Sequence, residues 1–103
     1  MKAVIDGKRY DTERATLVAE ATGPYNRGDF HWWSEELYLT AKGMWFLAGE
    51  GGAMSSYAEK VPGGMGGGQA IRPLTAFEAR RWLEEQGEMT ALEEHFAEEL
   101  EDA

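Results

Sequence analysis

Apolar positions cluster or alternate in short runs through the first three-quarters of the chain, and they take up a helical spacing in the last quarter. Two runs, LYLT at Leu37–Thr40 and MWFL at Met44–Leu47, are rich in strand-favouring residues and are separated only by Ala41, Lys42 and Gly43. Glycine at the third loop position supplies the positive φ of a three-residue turn, so this segment predicts a central antiparallel hairpin. Lys2–Ile5 and Lys8–Tyr10 flank Asp6 and Gly7, a type I′ turn pair, and predict a smaller hairpin; the alternative is a single helical turn capped by Asp11 or Thr12. Thr16–Ala21 fits a strand or a helix, ended either way by Gly23 and Pro24. Strand alternation through Phe30–Trp33 sends Phe30 and Trp32 to one face and His31 and Trp33 to the other. Met54–Lys60 predicts a short helix or turn stopped by Pro62, and Gln69–Leu74 a last strand that Pro73 confines to an edge or to its own end.

From Thr75 the period changes. Thr75 and Glu78 have capping-box spacing, which predicts a helix running to Gln86 with Gly87 as its stop. Thr90 and Glu93 repeat the box and predict a second helix to Ala103, whose apolar stripe is Met89, Leu92, Phe96 and Leu100. The expected fold class is α+β: a small antiparallel sheet with a central hairpin, followed by two C-terminal helices. One domain spans 1–103, with a sheet-rich region over 1–74, a flexible glycine-rich loop at 63–68 and an acidic helical region over 75–103.

That loop, GGMGGG, invites a phosphate-binding reading which its spacing excludes. No lysine follows Lys60, so the P-loop lysine is missing. Counted from Gly64 and Gly66, the third glycine of a dinucleotide fingerprint falls on Gln69, ahead of a strand instead of a helix.

Composition narrows the function classes. With 43% apolar residues and four each of Trp, Tyr and Phe, a chain of 103 residues can bury its own core. It has no cysteine, which removes disulfides and thiolate metal sites and fits a reducing compartment. The longest apolar run, Met44–Ala48, is far short of the ~20 residues of a membrane span, and the expected setting is the cytoplasm of a bacterial host cell. Net charge is −9. Residues 1–74 carry nine acids and eight bases, whereas 75–103 carry ten acids and only Arg80 and Arg81, so direct binding to nucleic acid is not expected.

The residue types of a catalytic site are present without a spacing that pairs them. Ser55 and Ser56 do not sit in a nucleophile elbow, His31 and His95 are far apart in sequence, and Glu35 and Glu36 point to opposite faces of a strand. No catalytic residue, metal ligand or cofactor is expected; an enzyme would need a polar pocket around Tyr38, Glu50 and Tyr57. The acidic end carries the stronger signal. Glu94 with Glu98, and Glu98 with Asp102, are like-charge pairs at i,i+4, each costing a few tenths of a kcal/mol, and the last acids oppose the helix dipole. Such a segment is either a solubilising face or an anionic surface for a basic protein partner, with Glu84, Glu85, Glu94, Glu98, Glu101 and Asp102 supplying charge. Trp32 or Trp33 is the candidate apolar anchor, with plain packing as its alternative.

Tyr10–Thr12, Gly28–Phe30, ELYLTAKG, FLAGEGGAMSSYA and IRPLTAFEARRWLEE together resemble a group of short acidic proteins carried by phages, plasmids and other mobile elements, the likeness spanning roughly residues 8–86. The resemblance brings no catalytic residues with it. It implies a genetic setting in which small acidic proteins inhibit host defence, anti-CRISPR proteins among them, and hence a Cas effector subunit as the basic partner. An antitoxin-like or regulatory module that binds another basic protein is the alternative.

Overall fold

The computed structural model describes all residues 1–103 and shows an α+β fold. Strands β1 (Lys2–Ile5) and β2 (Lys8–Asp11) form the first hairpin, closed by Asp6 at φ 51° and Gly7 at φ 75°, the left-handed pair of a type I′ turn. Strands β3 (Thr16–Thr22), β4 (Trp33–Leu39), β5 (Trp45–Gly51) and β8 (Gly68–Leu74) make an antiparallel sheet in the order β3-β4-β5-β8. Thr16–Ala21 is thus resolved as strand. The turn between β4 and β5 is the expected three-residue one: the Met44 carbonyl accepts from Thr40 N at 2.8 Å, the Thr40 hydroxyl accepts from Met44 N at 3.0 Å, and Gly43 sits at φ 85°. Pro73 lies in β8, an edge strand, where its missing N–H interrupts no ladder on the outer side.

The glycine tract is built into this framework. Strand β6 (Glu59–Val61) pairs with β7 (Gly64–Gly66) around Pro62 and Gly63, the latter at φ 88° as a type II turn requires. Of the short helix or turn expected over Met54–Lys60 the turn forms, over 53–57, while Glu59 and Lys60 join a hairpin over 59–66 that takes up part of the glycine tract. A Cβ on Gly67 would lie 2.8 Å from the Gly51 carbonyl oxygen, and one on Gly68 would collide with that of Tyr57. Close backbone approach explains both glycines.

Helix α1 (Ala76–Gln86) starts at the expected capping box: Glu78 N donates to Thr75 Oγ1 at 3.1 Å and Thr75 N to Glu78 Oε1 at 2.9 Å. It ends at Gly87, φ 68°, where Gly87 N bonds the Glu84 carbonyl and Glu88 N the Leu83 carbonyl, a Schellman stop. Helix α2 is shorter than its pattern predicts. It covers Met89–Phe96 and is followed by a 3₁₀ turn, Ala97–Glu99. Because α2 begins at Met89, Thr90 falls inside its first turn and cannot cap it, and Glu88 caps it without a side-chain bond. At Leu100 the backbone is extended, so the helical spacing that placed Leu100 on the stripe no longer holds; Leu100 and Met89 are exposed, while Ala91 and Phe96 are buried. Like-charge repulsion and acids at the negative helix end oppose continuation.

The helices cover one sheet face. Leu37, Trp45 and Leu47 meet Ala79, Trp82, Leu83, Ala91 and Phe96 there, and Phe96 stacks on Trp45 with ring centroids 5.4 Å apart. On the opposite face the first hairpin packs Tyr10 against Tyr38, Phe46 and Ala48. No helix is long and apolar enough to cross a membrane.

Candidate functional site

Along α1, α2 and the 3₁₀ turn the acids project outward. Glu84, Glu85, Glu93, Glu94, Glu98, Glu99, Glu101 and Asp102 are all exposed, with no lysine or arginine between them. Two have cationic or titratable neighbours: Glu99 lies 3.8 Å from Arg80 Nη1, and Glu94 lies 3.9 Å from His95 Nε2. α1 is fixed to the sheet through Ala79, Trp82 and Leu83, and α2 through Ala91, Leu92 and Phe96.

A second anionic area lies on the other sheet face. Glu20 stands directly opposite Glu36 across β3 and β4, and Glu50 opposes Ser34 in the next pair. Like charges in direct cross-strand opposition are unfavourable. Burial raises the Tyr38 hydroxyl above the usual tyrosine range, and the neighbouring carboxylates of Glu36 and Glu20 add to it. Between Glu36, Glu50, Ser34 and Gln69 the sheet leaves a depression of about 350 Å³. Nothing in the sequence distinguishes these acids, because Thr16–Ala21 fits strand and helix equally and spacing alone does not give its register.

The tryptophans lie away from the acidic helices. Trp33 opens β4 opposite Gly51 and its indole covers Gly23, where a Cβ would collide with Nε1. Trp32 precedes the strand, half-buried, with the Arg27 guanidinium 4.9 Å above its ring. Phe30–Trp33 therefore does not alternate as a strand: the Asp29 carboxylate accepts from His31 N at 2.7 Å and folds the segment into a turn. The same bond holds Asp29 below the usual carboxylate range. Gly51 and Trp45 are the two ends of β5, so ~20 Å of strand separates the tryptophans from α2. Charge and apolar anchor do not form one compact site.

The best-ordered polar centre involves residues that sequence spacing does not connect. Glu35, on the helix-covered face, accepts from Trp82 Nε1 at 3.0 Å and from the Tyr57 hydroxyl at 2.5 Å. Tyr57 is 3% exposed; its ring lies on Gly49, where any Cβ would collide with it, and under the Arg72 guanidinium at 3.9 Å. Arg72 Nη2 also donates to the Ser56 carbonyl at 2.7 Å. Burial, then the bond to Glu35, pushes the Tyr57 hydroxyl far above the tyrosine range. Glu35 thereby ties α1 and the 53–57 turn to the sheet, a positioning role. Tyr38 and Tyr57 stand on opposite faces, so no pocket gathers Tyr38, Glu50 and Tyr57. No group of three or more Asp, Glu or His side chains converges as metal ligands would.

No protein-family model, curated protein or solved structure matches the chain.

Proposed function

We propose that the protein is a non-enzymatic inhibitor of the anti-CRISPR kind, which presents its acidic helical surface to a basic groove of a Cas effector and excludes nucleic acid from it. The observation that carries this reading is the run of exposed acids from Glu84 to Asp102, uninterrupted by any lysine or arginine. These acids sit at the end of α1, in the last half of α2, on the 3₁₀ turn and on the extended segment after it, a concentration of negative charge of the kind a basic channel is built to receive. CRISPR effectors hold their guide–target duplex in such a channel, recognised through its backbone. The resemblance of residues 8–86 to short proteins of mobile elements supports the setting.

Charge steers association and seldom fixes a complex unaided, so an apolar contact is part of the proposal. Phe77 and Met89, 57% and 68% exposed on the two helices, are better placed for it than Trp32 or Trp33. Tagged protein incubated with lysate containing a CRISPR effector, at low and at high salt, tests the reading. Salt-sensitive recovery of a Cas subunit supports it; capture of a different basic protein, or of none, contradicts it.

A further inference from the structure

The molecule also has a basic pole. A cavity of about 540 Å³ opens between the tip of the first hairpin and the β4–β5 turn, and four of the chain's ten lysines and arginines line it: Lys8, Arg9, Arg14 and Lys42. Asp11 is the one carboxylate in the wall, and it is taken up by Arg14 at 3.7 Å. Lys8, Arg9 and Lys42 have no carboxylate within ion-pair distance, although the chain carries nineteen acids. Lys8, on the inner face of the hairpin with Ile5 and Tyr10, and Lys42, on the turn opposite, are two uncompensated cations on the concavity, whereas the Arg9 side chain projects to the outer face with Val4 and Asp11 and Arg9 borders the cavity along the free edge of β2.

The rest of the wall suits a ligand with a polar head and an apolar body. Met44 supplies apolar surface, beside the nearly buried Tyr10, and Thr40 a hydroxyl. In a two-residue hairpin the residues flanking the turn exchange both backbone bonds, here Ile5 and Lys8, which leaves Arg9 in a non-hydrogen-bonded pair. Its amide therefore points off the free edge of β2, a further donor for an anion. We infer that this cavity binds a phosphate monoester of nucleotide size, its dianion held by Lys8, Lys42 and the Arg9 amide and its body against Met44. Arginine and lysine are the usual partners of phosphate, and the volume lies in the range of small-molecule sites. A long polyanion is disfavoured because it would run out of the cavity's local field, which salt confines to ~8–10 Å, into that of the acidic body.

Amide chemical-shift titration of the full chain with adenosine monophosphate tests this. The expected result is saturable shifts confined to Gly7–Arg9 and Thr40–Met44, none with adenosine, and at least about tenfold weaker binding in the double variant Lys8→Gln, Lys42→Gln. Both side chains are exposed, so the variant should keep its dispersed spectrum; if it does not, Lys42→Gln alone carries the comparison with the same expected sign. Absence of saturable shifts, equal shifts from adenosine, or affinity unchanged in the variant would overturn the assignment. Tighter binding of an oligonucleotide that has only diester phosphates would overturn its small-ligand aspect.

Discussion

At the residue scale the fold turns on Glu35. Its two oxygens accept from side chains 22 and 47 positions away, which joins three separate pieces of chain at one carboxylate. Hydrogen bonds to a charged group are each worth ~1.5–3 kcal/mol, so Glu35→Ala should lower the unfolding free energy by roughly 2–4 kcal/mol and the melting temperature by ~10 °C or more. Thermal denaturation followed by circular dichroism checks it. Gly49→Ala should act on the same centre from below, since the new Cβ displaces the Tyr57 ring, at a cost of ~1–3 kcal/mol. Tyr57 also sets a pH dependence. Its hydroxyl is raised in the folded state, so above the ordinary tyrosine pKa of ~10 the unfolded chain loses a proton that the native one keeps. Stability is therefore complete below that pH and falls as pH rises past it. Denaturant melts across this range should show a shallower alkaline loss in Tyr57→Phe, with the remainder due to Tyr38, which shifts in the same direction.

At the scale of elements, what is legible in the sequence is what short-range geometry determines. The Asp6-Gly7 turn, the Ala41–Gly43 turn, the Thr75 box and the Gly87 stop each depend on residues within a few positions of one another, and all four stand as read. The β6–β7 hairpin is not legible, because a strand made of Gly64, Met65 and Gly66 has no apolar alternation and its pairing depends on Glu59–Val61. FHWW carries strand-favouring residues, yet one Asp29 carboxylate bonded to His31 N turns it aside. Helix α2 misleads for a related reason: Met89, Leu92, Phe96 and Leu100 have the right spacing, but only Phe96 finds a deep site, on Trp45. Phe96→Ala should therefore cost ~3–5 kcal/mol and release α2 from the sheet, visible as loss of amide protection in residues 89–96 before the rest of the chain. Shortening the chain after Glu99 should leave the melting temperature nearly unchanged, because Leu100–Ala103 are exposed.

At the scale of the whole molecule, charge is segregated. Acids cover the helices and one area of the sheet, whereas the hairpin tip and the β4–β5 turn gather Lys8, Arg9, Arg14 and Lys42. The acidic end is readable from sequence, since it is contiguous in the chain. The Glu20–Glu36 pair, the Glu35 centre and the basic cavity are not, because they exist only once strand register brings distant residues together. On the proposed function, the segregated charge would make association with a basic partner fast and salt-sensitive. The most direct test of the proposed inhibition is competition: a purified CRISPR effector, fluorescent target DNA, and either the native protein or a variant with Glu84, Glu85, Glu94, Glu98, Glu101 and Asp102 changed to their amides. The account predicts that the native protein releases the DNA and that the neutralised variant, still folded by circular dichroism, does so at least about tenfold less effectively. Equal displacement by both, or none by the native protein, would contradict it.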